Sequence, residues 1–335
     1  MMVHPNRKTP YRPSMSAVFW LACLAVAIDV NAASFVVPYD PVADSFTYVK
    51  VESHFFGTGI DNDGEANHGA PTSFSASLEK VDGVGAYAGQ VDGSGFATYE
   101  TLGASVSVVD GSGVHDGYTT AAFNEIYTVA PPAGVAAGTP GSMTFNYFLD
   151  GETIVDYNAA VLGDDRINGT VHPWAPDFLA IMRFSLWKRS GPDTGPVLNE
   201  NRVLMRLDDL PTGAIFPGGP HNAVLSHALI SAEVTFNYGE PFALLTKLRV
   251  DGFVDQGSGG ANTPYVNEVS VDFLNTARLV AIINDAHPEA EVTGVAGSYG
   301  HLVRSDVPAV PVPAAGWLFG SALLLFIRRR RMERR

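Results

Sequence analysis

Apolar and aromatic residues alternate with polar ones in six stretches of this chain, and that period of two constrains its fold more than any other feature. The alternation runs through Ser45 to Phe56 (SFTYVKVESHFF), Ser73 to Val81, Phe96 to Asp110, Ala122 to Val129, Ser142 to Leu149 and Asp177 to Lys188. Successive side chains of a strand point to opposite faces, so each stretch predicts a strand with one buried and one solvated side. Asp82-Gly83, Asp92-Gly93, Asp110-Gly111, Asp116-Gly117 and Asp150-Gly151 punctuate the pattern, and glycine in such pairs supplies the positive φ angles of hairpin turns. Many short strands with frequent turns predict an all-β body of the β-sandwich or jelly-roll kind. The tetrapeptide DGSG occurs at 92–95 and again at 110–113; its flanks do not align, so it reads as reused turn chemistry and not as a repeat. Helix is scarce, and the one candidate, His221 to Glu233, reads equally well as strand.

Two stretches rich in proline and glycine, Ala130 to Gly141 (APPAGVAAGTPG) and Ser190 to Pro196 (SGPDTGP), read as loops. Neither is long enough for a free tether. That favours one β-sandwich over residues 33–306, with two packed subdomains divided near 130–141 as the alternative.

The ends differ in kind from the body. Arg7, Lys8 and Arg12 precede the apolar run Ala17 to Ile28, followed by Val30-Asn31-Ala32. Small residues at that spacing predict a secretory signal peptide over 1–32, removed by signal peptidase after Ala32, with cleavage after Ala33 as the second choice. Cys23 lies inside the apolar run without a lipoprotein-type context, so it leaves with the signal. At the other end, residues 307–335 carry the proline-punctuated motif Val310, Pro311, Val312, Pro313, Ala314, then an apolar segment from Ala315 to Ile327 containing Trp317. Four arginines, Arg328, Arg329, Arg330 and Arg331, stop it. A helix from Pro313 to Ile327 has about 15 residues and spans about 22 Å at roughly 1.5 Å per residue, short of the roughly 30 Å hydrocarbon core. The prolines therefore break the outer edge of a marginal single-span helix, and the arginine cluster stays cytoplasmic by the positive-inside rule.

This tail closely resembles the PEP-CTERM type of exosortase sorting signal, in the variant whose signature reads VPLPA followed by Trp-Leu-Phe-Gly. Val312 stands where that signature has leucine, and Trp317, Leu318, Phe319 and Gly320 supply the second element. The body carries a more general likeness to exosortase-sorted proteins. It runs through Val234 to Val250, which contains Tyr238-Gly239-Glu240-Pro241-Phe242, the loop Gln256 to Asn262, the strand-like Val271 to Leu279 and the closing Val292 to Gly300. The closing motif is reordered as Gly297-Ser298-Tyr299-Gly300, and Arg278 and His287 are departures. The resemblance covers about 100 residues. It implies export, recognition by an exosortase-like membrane protease, transient residence in the inner membrane, and delivery to the envelope, cell surface or extracellular polysaccharide matrix. It implies no reaction.

Charge narrows the partners. The whole chain has a net charge of −14, and residues 33–313 hold 12 basic against 33 acidic side chains, a net −21. A body this acidic repels phosphate backbones, which excludes nucleic acid as an expected partner. With Cys23 gone, no disulfide is available and stability must come from burial.

Sequence motifs for chemistry are sparse. Asp61, Asp63 and Glu65 read as a loop containing Gly64 with hard oxygen ligands at alternate positions, which suits Ca²⁺, although the spacing is not that of an EF-hand. Trp174, between Pro173 and Pro176, offers an indole for stacking on a sugar ring. His221 and His227, six apart, would share one face of a strand and could seat a metal with Asp208 or Asp209, whereas the adjacent carboxylates of Asp164-Asp165 and of Asp208-Asp209 would point to opposite faces of a strand and so make no acid–base pair on their own. No nucleophile elbow, metalloprotease helix or phosphate loop occurs. The expected role is structural or carbohydrate-associating and not enzymatic, the alternatives being a surface-anchored glycan hydrolase and an uncleaved membrane-anchored adhesin.

Overall fold

A computed structural model of the chain describes residues 37–55, 59–81, 88–109, 114–157, 177–206, 219–255, 266–300 and 302. In chain order the strands are β1 (Phe46–Phe55), β2 (Gly59–His68), β3 (Thr72–Val81), β4 (Ala88–Ala97) and β5 (Thr101–Val109). Then come β6 (Val114–Val129), β7 (Pro140–Tyr157), β8 (Asp177–Lys188), β9 (Gly195–Arg206) and β10 (Gly219–Asn237). The last four are β11 (Pro241–Asp255), β12 (Val266–Ile283), β13 (Val292–Gly294) and β14 (Gly297–Ser298). No helix occurs among the described residues.

The strands form two antiparallel sheets. The first has eight strands along the path β14-β13-β6-β11-β8-β9, with β1 also pairing β6 and carrying β2 outside it; the second has six in the order β10-β7-β12-β5-β4-β3. After β5 the chain crosses between sheets repeatedly, with β6 in the first, β7 in the second, β8 and β9 in the first, and β10 in the second. The loop over 130–139 makes one of these crossings, so its prolines and glycines turn the chain over the end of a shared core.

That core lies between the sheets, as a β-sandwich requires. Val49, Val51, Phe123, Leu248 and Phe184 from the first sheet are buried against Val91, Val106, Phe145, Val271 and Phe236 from the second. Aromatic pairs bridge the layers: Tyr127 meets Phe145 edge-on at 5.3 Å, and Tyr147 lies 5.0 Å from Phe184. Buried polar groups are tied across as well. The Tyr147 hydroxyl lies 3.1 Å from Thr246 Oγ1, and Lys188 Nζ donates to Thr235 O at 2.5 Å and to its Oγ1 at 2.9 Å.

The alternation located strands well and misjudged several of their ends. Asp177 to Lys188 is β8 end for end, whereas Phe96 to Asp110 is two strands. There Thr98 N donates to Thr101 O at 2.8 Å and Thr101 N to Thr98 Oγ1 at 2.9 Å, closing the turn between β4 and β5. His221 to Glu233 is strand, within β10.

The larger correction concerns Asp-Gly. Asp92-Gly93, Asp116-Gly117 and Asp150-Gly151 lie inside β4, β6 and β7, and none of these glycines has a positive φ. They serve close approach instead. A Cβ on Gly93 would stand 2.5 Å from Val51 Cγ1 and from Thr119 Oγ1, and one on Gly117 would stand 2.5 Å from Val91 Cγ1. The first DGSG is therefore strand, with its glycines facing the core and Asp92 and Ser94 facing out. Asp82-Gly83 and Asp110-Gly111 lie outside the described residues.

Candidate functional site

Alternation leaves each sheet a second, outward face, and the pairing registers show which polar side chains share it. Across the first sheet, Lys50 stands opposite Thr120, Thr120 opposite Arg249, Arg249 opposite Arg183 and Arg183 opposite Asn201. The next row runs Glu52, Tyr118, Asp251, Ile181, and the one beyond it sets His54 against Asp116. On the other side lies Tyr48, Ala122, Lys247, Ser185, Asn199. Four or five strands separated by as much as 200 residues thus assemble one charged surface.

Its centre is tightly knit. The Arg249 guanidinium carbon sits 3.4 Å from the Tyr118 ring centroid, and Arg249 Nε donates to Asp251 Oδ1 at 2.6 Å. Arg183 Nε approaches Asp251 Oδ2 at 3.3 Å. Glu52 lies 2.9 Å from His54 Nε2 and pairs with Lys50. Burial works against its ionised form, yet hydrogen bonds from His54, Lys50 and Tyr118 hold the Glu52 carboxyl down at about 2. Asp116, with 34% of its side chain exposed and 3.8 Å from His54 Nδ1, moves the other way. Burial and then repulsion by Asp251 push it up to about 6. A low and a high carboxyl side by side can divide base and acid roles, but the oxygens of Glu52 are taken by three donors, which leaves it poorly placed as a nucleophile.

The flank of this face nearest Trp187 is cationic. Lys50, Arg183, Arg189, Lys247 and Arg249 are five of the 12 basic residues of 33–313. Burial, followed by repulsion from Arg249, Arg189 and Arg183, lowers the Lys247 pKa. Arg189 lies with its guanidinium carbon 5.5 Å from the Trp187 ring, and that indole is 37% exposed.

The outward face of the second sheet is different in chemistry. Two cross-strand rows, Ser77-Asp92-Ser107-Ser270 and Ser75-Ser94-Ser105-Asp272, line a shallow groove of about 450 Å³. Ser94 and Ser105 hydroxyls lie 2.8 Å apart, Gln90 Nε2 donates to both Asp92 oxygens at 2.8 Å, and Ser107 donates to Glu268 at 2.7 Å. The charged side chains lining the groove are Asp92 and Asp272, and hydroxyls dominate the rest.

A third polar group is interior. Glu125 is fully buried in β6 beneath β13 and β14; it accepts from Tyr299 and, at 3.3 Å, from Ala296 N. Burial outweighs these donors and pushes its carboxyl up to about 7.

The residues singled out from the sequence fall elsewhere. Asp61, Asp63 and Glu65 do not form a loop; they lie in β2, which pairs with β1 residue for residue, Val51 opposite Asp63. Alternate positions in a strand are about 7 Å apart, so the three exposed carboxylates form a row about 13 Å long and do not converge on one ion. Asp63 accepts from Gly64 N at 2.8 Å and Glu65 from Asn67 Nδ2 at 3.1 Å. Among the described residues no group of three His, Cys, Asp or Glu side chains has metal-holding geometry. His221 and His227 both belong to β10, with a bulge between Leu225 and Ala228. Trp174, Asp164, Asp165, Asp208, Asp209, the signal segment 1–32, and the tail with Val310 to Ala314, Trp317 and Arg328 to Arg331 lie outside the described residues. The charged face was missed, although alternating Lys247, Arg249 and Asp251 in an otherwise apolar strand were a readable signal.

No protein-family model matches the chain, and no curated protein matches it either. Among solved structures it is similar to the Gt strain of infectious bursal disease virus at 14% identity, covering 87% of this chain and 75% of that one, with a TM-score of 0.11. The VP2 subviral particle of the same virus gives 14% identity, the same coverages and a TM-score of 0.12. Overlaps this poor carry no argument about the chain.

Proposed function

We propose that this chain is an exported protein of the cell envelope or extracellular matrix, sorted through its C-terminal tail by an exosortase-like system, whose body associates with carbohydrate. The observation that carries the binding role is the serine- and aspartate-lined groove on the second sheet. Sugar hydroxyls are paired donors and acceptors. Serine hydroxyls both donate and accept, and an aspartate can accept from two neighbouring hydroxyls at once. The groove has no aromatic platform, so each contact is weak, and useful affinity comes from many contacts along a polymer. Signal peptidase and the sorting protease are the processing partners; Ca²⁺ acts as a counterion of the acidic body.

The test is binding of the recovered protein to a neutral glucan, with Asp92→Ala combined with Ser270→Ala as the comparison. Loss of retention in the variant, at unchanged thermal stability, supports the reading. Equal retention of wild type and variant, or no retention of either, overturns it.

A further inference from the structure

The opposite face of the sandwich concentrates cations on a body that is otherwise strongly acidic, and that imbalance asks for an explanation. Arg183, Arg249 and Lys247 are neighbours in register on β8 and β11, with Arg189 one turn of the alternation beyond Trp187. Among the described residues Asp251 is the counter-charge in direct contact with Arg183 and Arg249. Like charges crowded on one face cost stability, and the cost is offset when an anion sits among them. Arg183 Nε faces Asp251 Oδ2 at 3.3 Å, and the Nε of Arg189 has no hydrogen-bond partner among the described residues. A guanidinium carries five N–H donors in a planar fork, so the terminal nitrogens of both side chains are the donors for a ligand.

We infer that this face binds the carboxylates of an acidic saccharide, seated on Arg183, Lys247 and Arg189 with a sugar ring against Trp187. The inference rests on the carbohydrate reading and adds the charge class of the ligand and a second, separate surface. Guanidinium groups match carboxylate geometry with two parallel hydrogen bonds. Asn199 and Asn201 lie exposed in the same rows and supply neutral partners for hydroxyls. An exposed indole with a guanidinium beside it provides the apolar face on which sugar rings stack. Phosphate polymers fit less well. Asp251, Glu52 and Asp116 are interspersed with the cations, and the net charge of the body opposes a dense polyanion over the whole approach, whereas one carboxylate per sugar ring is met locally.

The protein recovered from the producing cells would be titrated with oligogalacturonate, with its methyl ester, with a neutral glucan and with inorganic phosphate. Wild type should prefer the acid over the ester by about tenfold, and Lys247→Gln combined with Arg183→Gln should abolish that preference while retention on the neutral glucan is unchanged. Adding salt should weaken the acid selectively, a readout on wild type that stands if the double variant fails to fold. Equal affinity for acid and ester, a double variant that keeps the preference, or phosphate competing as well as the uronate would overturn the inference. Loss of all saccharide binding in wild type would instead refute the broader carbohydrate reading.

Discussion

Replacing Glu125 with glutamine should remove a large part of the pH dependence of stability between pH 5 and 8. The carboxyl lies wholly inside the sandwich, and burial raises it from 4.5 to about 7 even though Tyr299 and Ala296 N donate to it. The folded state thus holds this proton more tightly than the unfolded state does. Its contribution to stability is fully present below the unfolded value of about 4.5 and is lost as pH rises through about 7. Each pKa unit is worth about 1.4 kcal/mol, so the displacement corresponds to about 3 kcal/mol. For a body of this size that is about 5–10 °C in Tm. Asp116, raised to about 6, contributes with the same sign in an overlapping window, while Glu52, held at about 2, loses its contribution only below about pH 4.5. Melting curves of wild type and Glu125→Gln from pH 4.5 to 8.5 separate these, because Asp116 and Glu52 are common to both proteins. The gap between the two curves should move by about 3 kcal/mol in favour of the variant as pH rises. A constant gap across the range would refute the account of Glu125 as a buried carboxyl that folding holds protonated.

Gly117→Ala should destabilise by about 1–3 kcal/mol, since its Cβ would overlap Val91 and force the sheets apart; a neutral result in denaturant melts would show that the sheets are not held this close. Millimolar Ca²⁺ and Mg²⁺ should shift Tm equally, because Asp61, Asp63 and Glu65 form an extended row on β2. A Ca²⁺ shift that exceeds the Mg²⁺ shift and disappears in Asp63→Asn would contradict that geometry. Pro311→Leu combined with Pro313→Leu should lengthen the continuous apolar segment of the tail and leave full-length protein in the inner membrane, visible by membrane fractionation; normal release of the variant would show that the prolines are not needed for sorting.

The architecture was legible because burial on one face leaves a period of two, and β8 shows how well: every inward residue from Phe178 to Leu186 is apolar and buried. Strand ends were less so. Asp-Gly in β4, β6 and β7 looks in sequence like a hairpin turn, and only the facing sheet reveals that Val51 and Val91 occupy the space of the missing Cβ. Asp61 to Glu65 was misjudged for a related reason. Alternating acids beside a glycine suit a ligand loop and an edge strand alike, and pairing with β1 decides between them. The charged face of the first sheet needed three registers at once, since Lys50, Tyr118, Arg183 and Arg249 meet only when β1, β6, β11 and β8 are aligned. Single-strand patterning cannot supply that alignment.

The central claim, an exported body released from two membrane segments, is tested most directly by the intact mass of the protein recovered from the surface of the producing cells. The account predicts a chain that begins at Ala33 and ends near Pro313, together with the mass of any group joined at the new end. A mass of 35.6 kDa, that of the whole chain, or peptides from Arg328 to Arg335 in amounts equal to those of the body, would contradict it.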